Sequence, residues 1–320
     1  MNTLIIINIF GGYKVDREKF YTNKRNIVLL ATLCCALWGS AYPAIKCGYE
    51  LFNILGDDIP SKLIFAGDRF ALAGIIVLLV SSINKKDVFV LNKKELIQTT
   101  LFGIFQTTLQ YIFFYIGLSY TTGIRSSIIN GTGAFFSILL AHFIYKNDRL
   151  NMHKIFGCII GFIGVIIVNL NGQDFFDSSF SIYGEGFVLL AAFILSASSI
   201  YGKKITQHQD ASIITGYQLF IGGLILLLLG YILGGKLYGF TFKSTSLLIY
   251  MALLSSVAFV VWTELLKYNK VGIISIFNFL VPVFGSLLSA VFLGEDIFDI
   301  KILISLIFVC LGIYLVYRVK

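Results

Sequence analysis

Ten stretches of this chain are each mostly apolar over roughly 17 to 25 residues, the length that a helix needs to cross a bilayer. With 57% hydrophobic and 13% charged residues, a chain of 320 residues carries too few charges to cover a water-soluble globule. We therefore predict an all-α integral membrane protein with ten transmembrane helices. The expected helices span residues 27–48, 62–83, 96–118, 124–145, 153–170, 184–202, 212–234, 246–266, 271–293 and 301–317.

Two of these stretches, residues 123–146 and 272–295, are similar to each other. Shifting the chain so that Gly123 falls on Gly272 matches several identical residues between the two segments. The sequence therefore predicts a duplicated architecture, with one five-helix repeat at 27–170 and a second at 184–318, after a cytoplasmic tail at 1–26. Because five is an odd number, the second repeat enters the membrane from the opposite side, which makes the repeats inverted.

Basic residues concentrate in the loops on one side of the predicted membrane. If the N-terminus is inside, the inner loops hold most of the 25 Lys and Arg residues, whereas the outer loops carry mainly Asp and Glu. This charge bias places both termini in the cytoplasm, and we expect a multi-pass protein of the plasma membrane. Orientation then accounts for the net charge of +8, so we expect no nucleic-acid partner.

Several classes of chemistry lack a signature in this sequence. It contains no GxxxxGK[ST] motif, so we do not expect ATP as the direct energy source. The five cysteines show no metal-ligand spacing, and we expect no metal and no cofactor. No constellation typical of an intramembrane enzyme stands out, such as paired carboxylates, HExxH or a serine with a base. A channel or a lipid-handling protein stays open as an alternative.

Four motifs follow one another along the chain. They are ALWGSAYPAIK at 36–46, RFALAG at 69–74, GIISIFNFLVPVFGSLLSAVFLGE at 272–295 and LGIYLV at 311–316. Their order, spacing and duplication resemble the EamA-type exporters of the drug/metabolite transporter superfamily. The resemblance implies ten helices in an inverted five-helix repeat and export of small metabolites, such as amino acids, without ATP. The first repeat departs from the pattern, because Gly133 stands where the second has Pro282.

An aromatic and basic face on the first helix is a candidate wall of a substrate site. Trp38, Tyr42 and Lys46 follow an i, i+4, i+8 path, so they can face one cavity. An aromatic wall with a nearby ammonium suits a zwitterion or a carboxylate. The alternative is that Trp38 packs in the core and Lys46 extends to the outer headgroups.

Charged and amide side chains inside the second and third helices need partners in a bilayer. Arg69 is our candidate for an electrostatic role, pairing with another helix or with an anionic group. The alternative is structural, with Asp68 bridged to Lys46 or Lys62. On the third helix, Gln106 and Gln110 share a face and contact either a substrate or another helix.

Prolines interrupt two of the predicted helices. Pro43 lies in the first helix and Pro282 in the ninth, and we expect both to act as hinges. Asn278 precedes Pro282 by one turn, where a helix that lines a cavity can expose a freed carbonyl. We therefore assign Asn278 to the substrate site.

Two buried carboxylates are candidates for proton coupling. A carboxyl group that burial keeps protonated near neutral pH can carry a proton, and Glu264 and Asp68 both lie inside predicted helices. For Glu264 the alternative is an ion pair with Lys267, three residues further along the same helix.

Together these features predict a secondary transporter rather than an enzyme. We expect it to export a small polar or amphipathic metabolite, an amino acid or a related compound, by alternating access, with proton exchange as one energy source. Its expected partners are the small-molecule substrate and the lipid bilayer. The sequence leaves open whether the protein is a monomer or a homodimer.

Overall fold

The computed structural model describes residues 16–89, 91–121, 123–169, 180–293 and 300–318, and the regular elements within these ranges are all helical. Residues 1–15 of the predicted cytoplasmic tail lie outside them, as do the loop 170–179 and the Gly-Glu pair at 294–295. The helices, in chain order, are α1 Arg17–Thr22, α2 Lys24–Leu51, α3 Ile59–Ile83, α4 Lys93–Tyr120, α5 Gly123–Gly131, α6 Gly133–Ile144, α7 Met152–Asn169, α8 Ile182–Thr206, α9 Ala211–Ile232, α10 Phe242–Tyr268, α11 Val271–Phe292 and α12 Ile300–Tyr317.

Eight of the described helices are long and apolar enough to cross a membrane: α2, α3, α4, α8, α9, α10, α11 and α12. They correspond to eight of the ten predicted helices. The predicted fifth helix corresponds to α7, whose apolar part, Met152–Ile167, is shorter. The count of ten spans therefore stays a prediction.

The predicted fourth helix, 124–145, is divided into α5 and α6. The break lies at Thr132, between Gly131 and Gly133, where the Thr132 N–H donates to the carbonyl of Ile129, 2.9 Å away. That bond closes a turn one residue shorter than an α-helical turn. Two glycines beside the break lower the cost of leaving the helix, because they favour helix poorly.

Several helices begin a few residues earlier than hydropathy alone indicates, because a polar residue caps the first turn of each. Asn23, Asp58, Asp210 and Thr241 each accept backbone N–H groups from the first turn of α2, α3, α9 and α10. Such caps satisfy donors that would otherwise have no partner at a helix start. The helices therefore extend past the apolar core into the polar boundary.

Glycines set the closest helix contacts. A Cβ built on Gly74 of α3 would lie 2.4 Å from the backbone nitrogen of Phe220 and 2.6 Å from the carbonyl oxygen of Gly216, both on α9. Gly67, one glycine earlier on α3, lies against Gly223, so α3 and α9 run antiparallel. Small residues at these points let two backbones approach closely, which is how helices gain packing energy in lipid.

A second close pair joins α7 to α12. A Cβ on Gly157 would lie 2.7 Å from the carbonyl oxygen of Gly312, and one on Gly312 would lie 2.8 Å from the nitrogen of Gly161. Helix α2 packs against both α10 and α11, and α8 packs against α4 and α6. The bundle thus brings the first helix of each predicted repeat against the opposite repeat.

The predicted hinges lie where α2 and α11 touch. Proline has no N–H to continue the helical hydrogen bonds, and α11 narrows to a 3-10 turn at Ile276–Phe279, just before Pro282. In α2, which contains Pro43, a Cβ on Gly39 would lie 2.5 Å from the Phe284 Cβ. Helix α2 nevertheless continues through Pro43, so the structure has an interruption only in α11, close to the contact between the two halves of the chain.

Candidate functional site

A cavity of about 390 Å³ lies between the two halves of the chain. Its walls come from α2, α3, α4, α5 and α6 of the first half and from α8, α10 and α11 of the second. A cavity of this size between helices is typical of a small-molecule site. All seven residues that the sequence predicted for substrate binding line it, together with Pro282: Trp38, Tyr42, Lys46, Arg69, Gln106, Gln110 and Asn278.

Three other candidates do not line this cavity. Pro43 is buried in α2, one residue from the wall residue Tyr42. Asp68 is half-buried on α3, next to Arg69. Glu264 is 1% exposed and lies at the end of α10, two residues beyond the wall residue Trp262.

Arg69 is the buried cation of the cavity. Its side chain is 2% exposed, and its Nε donates to the Ser255 Oγ, 2.8 Å away. The Ser255 hydroxyl in turn donates to the carbonyl oxygen of Met251 at 2.8 Å. The guanidinium carbon lies 4.9 Å from the centre of the Phe70 ring. Among the described residues, no carboxylate forms an ion pair with Arg69.

The predicted bridges from Asp68 to a lysine are not formed. The Lys62 ammonium donates a hydrogen bond to the carbonyl oxygen of Gly56, and its Nζ lies 5.4 Å from the centre of the Tyr49 ring. Lys46 is exposed at the rim of the cavity. The alternative of an Asp68 ion pair with either lysine is therefore wrong, because both ammonium groups lie elsewhere.

Gln106 lies in a π-helical turn of α4, Ile104–Leu109, and Gln110 is the residue that directly follows this turn. The Gln106 Oε1 accepts from the Ser198 hydroxyl at 2.6 Å, whereas the Gln110 Oε1 is buried with no partner among the described residues. The Thr107 hydroxyl donates to the Gln218 Oε1 at 2.8 Å, which ties the turn to α9. Single π-turns inside α-helices are frequent at functional sites because they rotate side chains out of register.

Aromatic rings from α2, α4 and α10 also line the cavity. Trp38 meets Trp262 edge to face, with ring centres 5.0 Å apart, and meets Phe259 at 5.6 Å. On α4, Tyr111 lies 5.9 Å from Tyr115 between ring centres. Such rings offer a large apolar surface at fixed geometry.

Several cavity residues were missed by sequence reasoning. Ser126 and Asn130 on α5 each have a buried side-chain oxygen without a partner among the described residues, and Asn130 lies within hydrogen-bonding reach of Tyr42. Asn130 precedes Gly131 and the break in the predicted fourth helix. That glycine-flanked break was the available signal, because an interrupted helix exposes polar groups where it lines a cavity.

A charged cluster closes one end of the bundle. The Arg17 Nη1 lies 3.5 Å from the Glu264 Oε1 and 3.3 Å from the Asp210 Oδ2. The Lys86 ammonium lies 2.9 Å from Asp210 and donates to the Ser212 hydroxyl at 2.7 Å. Glu264 is thus paired as the alternative anticipated, but its partner is Arg17. Lys267 instead donates to the carbonyl oxygen of Gln209 at 3.0 Å.

The charges in this cluster shift one another's titration. Burial alone would raise the pKa of Asp210, but Lys86, the Ser212 hydrogen bond and Arg17 hold that pKa well below its usual range. Burial would lower the pKa of Arg17, yet the charges of Glu264 and Asp210 raise it. For Lys86, burial outweighs Asp210 and lowers the pKa. Asp210 therefore stays ionised.

The side chains that line the cavity can bind a small molecule. Its described lining contains no Asp, Glu, His or Cys side chain, the groups that supply most general acids, bases and nucleophiles. The described residues also form no cluster of three or more metal-ligating side chains. What the walls offer is one buried cation, amides, hydroxyls and aromatic rings.

Comparisons with known proteins agree with a transport role. The model of the EamA-like transporter family matches residues 25–170 and again residues 182–318. An uncharacterized transporter of Archaeoglobus fulgidus is 26% identical over 270 residues, which is 83% of this chain and 89% of that protein. The probable amino-acid metabolite efflux pump of Salmonella typhimurium is 26% identical over 301 residues, covering 89% of this chain and 93% of that one.

A solved crystal structure supports the same fold. It superposes with a TM-score of 0.74 at 14% identity and covers 92% of this chain and 96% of the solved one. The two family matches together span most of the sequence, and the relatives are transporters rather than enzymes. This multi-pass membrane protein therefore belongs to the EamA-like transporter family.

Proposed function

We propose that this protein is a secondary transporter that exports a small polar or amphipathic metabolite, an amino acid or a related compound, across the plasma membrane. The observation that carries the proposal is the cavity shared by both halves of the chain, with Pro282 in its wall. A binding site between two halves, at interrupted helices, suits a mechanism in which one half rocks against the other.

The α3 and α9 contacts support an inverted repeat. Shifting the chain by the same offset that places Gly123 on Gly272 places Gly67 on Gly216 and Gly74 on Gly223. The contact of Gly67 with Gly223 then becomes the contact of Gly216 with Gly74, which is also present. Equivalent helices that pack antiparallel in this way fit a two-fold axis in the membrane plane. We therefore propose ten spans in two inverted repeats.

The charged end of the bundle supports one orientation in the membrane. Lys86 and Arg17 lie at the end that also carries Asp210 and the end of α10, whereas Lys46 lies at the other end of α2. The excess of basic residues at the Arg17 end favours the cytoplasmic side for it, with both chain termini there. The cavity would then open towards the outside, at Lys46.

Counterflow in proteoliposomes tests the proposal. Proteoliposomes that contain the purified protein would be loaded with an unlabelled amino acid. Uptake of the same compound in labelled form would then be followed, for a panel of amino acids. A carrier gives saturable exchange that Asn278→Ala reduces several-fold while the variant remains folded. Gly56→Ala, in an open loop position, is the matched control and should exchange normally.

Two results would count against a carrier. Continuous conductance without exchange would favour a channel, and movement of labelled lipid between leaflets would favour a lipid-handling protein.

Proton exchange is a finer part of the proposal. It predicts that an imposed pH gradient drives uptake in the same vesicles.

A further inference from the structure

The charged side chains in the described lining of the cavity are both basic. Lys46 lies at the exposed rim and Arg69 is buried inside, and no Asp or Glu accompanies them in the wall. In a cleft with walls of low dielectric constant, charges of one sign concentrate counter-ions. The electrostatics of the cavity therefore favour a ligand with a negative group over one with a positive group alone.

Arg69 is held in place but not satisfied. The Ser255 hydroxyl accepts a hydrogen bond from the Nε–H of Arg69 only, and no other described residue accepts a hydrogen bond from the guanidinium. A buried charge without a partner of opposite sign is costly, so such a group needs water or a ligand beside it. The free donors of a guanidinium form a planar fork that matches a carboxylate with two parallel hydrogen bonds.

The other wall residues indicate which kind of ligand body fits the cavity. Trp38, Trp262 and Tyr111 offer flat apolar surfaces, which suit a ring or a branched hydrocarbon. Gln110 and Asn130 each leave a buried side-chain oxygen without a partner among the described residues. These oxygens can accept from hydroxyl, amide or amine groups, whereas a cation without an acid group would find no carboxylate there.

We propose that the cavity recognises a monocarboxylate with a flat apolar body and that Arg69 binds its carboxylate group. This inference rests on the proposed transport function and assigns the class of its substrate. Arg69 sets the specificity for the charged end, and the aromatic wall sets it for the apolar end. An ammonium group on the substrate is not required for binding.

Three probes with one body and different head groups test this assignment: 3-phenylpropanoate, 3-phenylpropanamide and 3-phenylpropylammonium. Binding to the purified full-length protein is measured by thermal shift and by titration calorimetry, because a ligand selective for the native state raises its melting temperature. We expect the carboxylate to bind at least about tenfold more tightly than the amide and the ammonium compound, which corresponds to roughly 1.4 kcal/mol.

Substitutions then locate the effect. Arg69→Gln should reduce carboxylate binding by about tenfold or more and leave the amide unaffected, while Arg25→Gln, at an exposed arginine of α2, should change neither. If Arg69→Gln does not fold, Arg69→Lys keeps the charge without the fork. It should bind the carboxylate several-fold more weakly than the native protein and still prefer it to the amide.

Equal binding of the three probes, tighter binding of the ammonium compound, or no binding of any probe would overturn the assignment. So would carboxylate binding that neither Arg69 variant weakens. These results concern the ligand class and need no flux. A failed transport function appears differently, as selective carboxylate binding without saturable exchange in proteoliposomes.

Discussion

The guanidinium of Arg17 lies 3.5 Å from the carboxylate of Glu264, although 247 residues separate them in the chain. Arg17 belongs to the short helix α1, which docks against the end of α10. There the ring of Tyr21 stacks on Tyr268, with centres 5.8 Å apart and planes within 7° of parallel. The amide of Asn269 donates to the carbonyl oxygen of Tyr21 at 2.9 Å. Helix α1 therefore covers a buried carboxylate at one end of the bundle.

Removal of Arg17 should destabilise the protein. Glu264 is 1% exposed and its Oε2 already has no partner among the described residues, so Arg17→Ala leaves a buried carboxylate poorly paired. Because Arg17 itself is partly exposed, we expect a loss of about 1 to 3 kcal/mol, which is less than the roughly 3 to 5 kcal/mol lost when a fully buried pair is broken. Chemical unfolding in detergent measures it.

The double variant Arg17→Ala with Glu264→Gln separates charge from packing. A neutral amide needs no cation, so this variant should recover part of the lost stability. Arg25→Ala, at an exposed arginine near the start of α2, serves as the control and should unfold like the native protein. A stable Arg17→Ala protein would show that the ion pair contributes nothing.

The charge of Asp210 should make stability depend on acid pH. Its pKa lies below the ordinary value near 4, so the ionised carboxylate stabilises the native state. That contribution is complete above pH of about 4 to 5 and is lost as the pH falls further. Asp210→Asn keeps a side-chain oxygen to cap α9 but removes the charge.

The measurement is the stability of both proteins between pH 7 and pH 3. We expect Asp210→Asn to be less stable by about 1 to 2 kcal/mol at pH 7, the size expected for charge-assisted hydrogen bonds. The difference should narrow below pH of about 4. A difference that is constant over the whole range would contradict the role assigned to the charge.

The α3 and α9 contact should not tolerate a single added carbon at Gly74. A Cβ there meets the backbone of Phe220 and Gly216, which cannot move aside as a flexible side chain can. Gly74→Ala should therefore cost about 1 to 3 kcal/mol, as overpacking does. Gly56→Ala is the matched control, because nothing lies within 4 Å of its Cβ position. Equal melting temperatures of the two variants would contradict the packing argument.

Glu264 should not carry the transported proton. Its carboxylate pairs with Arg17 and does not line the cavity, so Glu264→Gln should leave the pH profile of transport unchanged while lowering stability. The profile is measured as initial exchange rates in proteoliposomes between pH 6 and pH 8, scaled to the amount of folded protein. A flattened profile would return Glu264 to the proton pathway.

Much of the wall of the candidate site could be predicted because helical spacing is local. Trp38, Tyr42 and Lys46 share a face by their i, i+4, i+8 positions, and the structure has all three along one cavity. Gln106 and Gln110 were likewise grouped correctly. The π-turn that contains Gln106 was not foreseen, and neither was the hydrogen bond from Thr107 in this turn to Gln218, more than a hundred residues away.

Charge partners were the weakest part of the prediction. We predicted an ion pair of Glu264 with Lys267, the nearest lysine in the sequence, and one of Asp68 with Lys46 or Lys62. Each lysine instead reaches the rim of the cavity or a backbone carbonyl. A long side chain on a helix has many partners within reach, and sequence distance does not rank them.

The sequence by itself determined that this chain is helical and lies in a membrane. Hydrocarbon satisfies no free backbone polar group, so long apolar stretches must become helices wherever they pack. Only the tertiary structure decided that Arg69 has no acidic partner within the described part of the chain, whereas Glu264 is paired with Arg17. Those outcomes depend on which helix ends meet, and that is set by the close contacts of small residues on opposite halves of the chain.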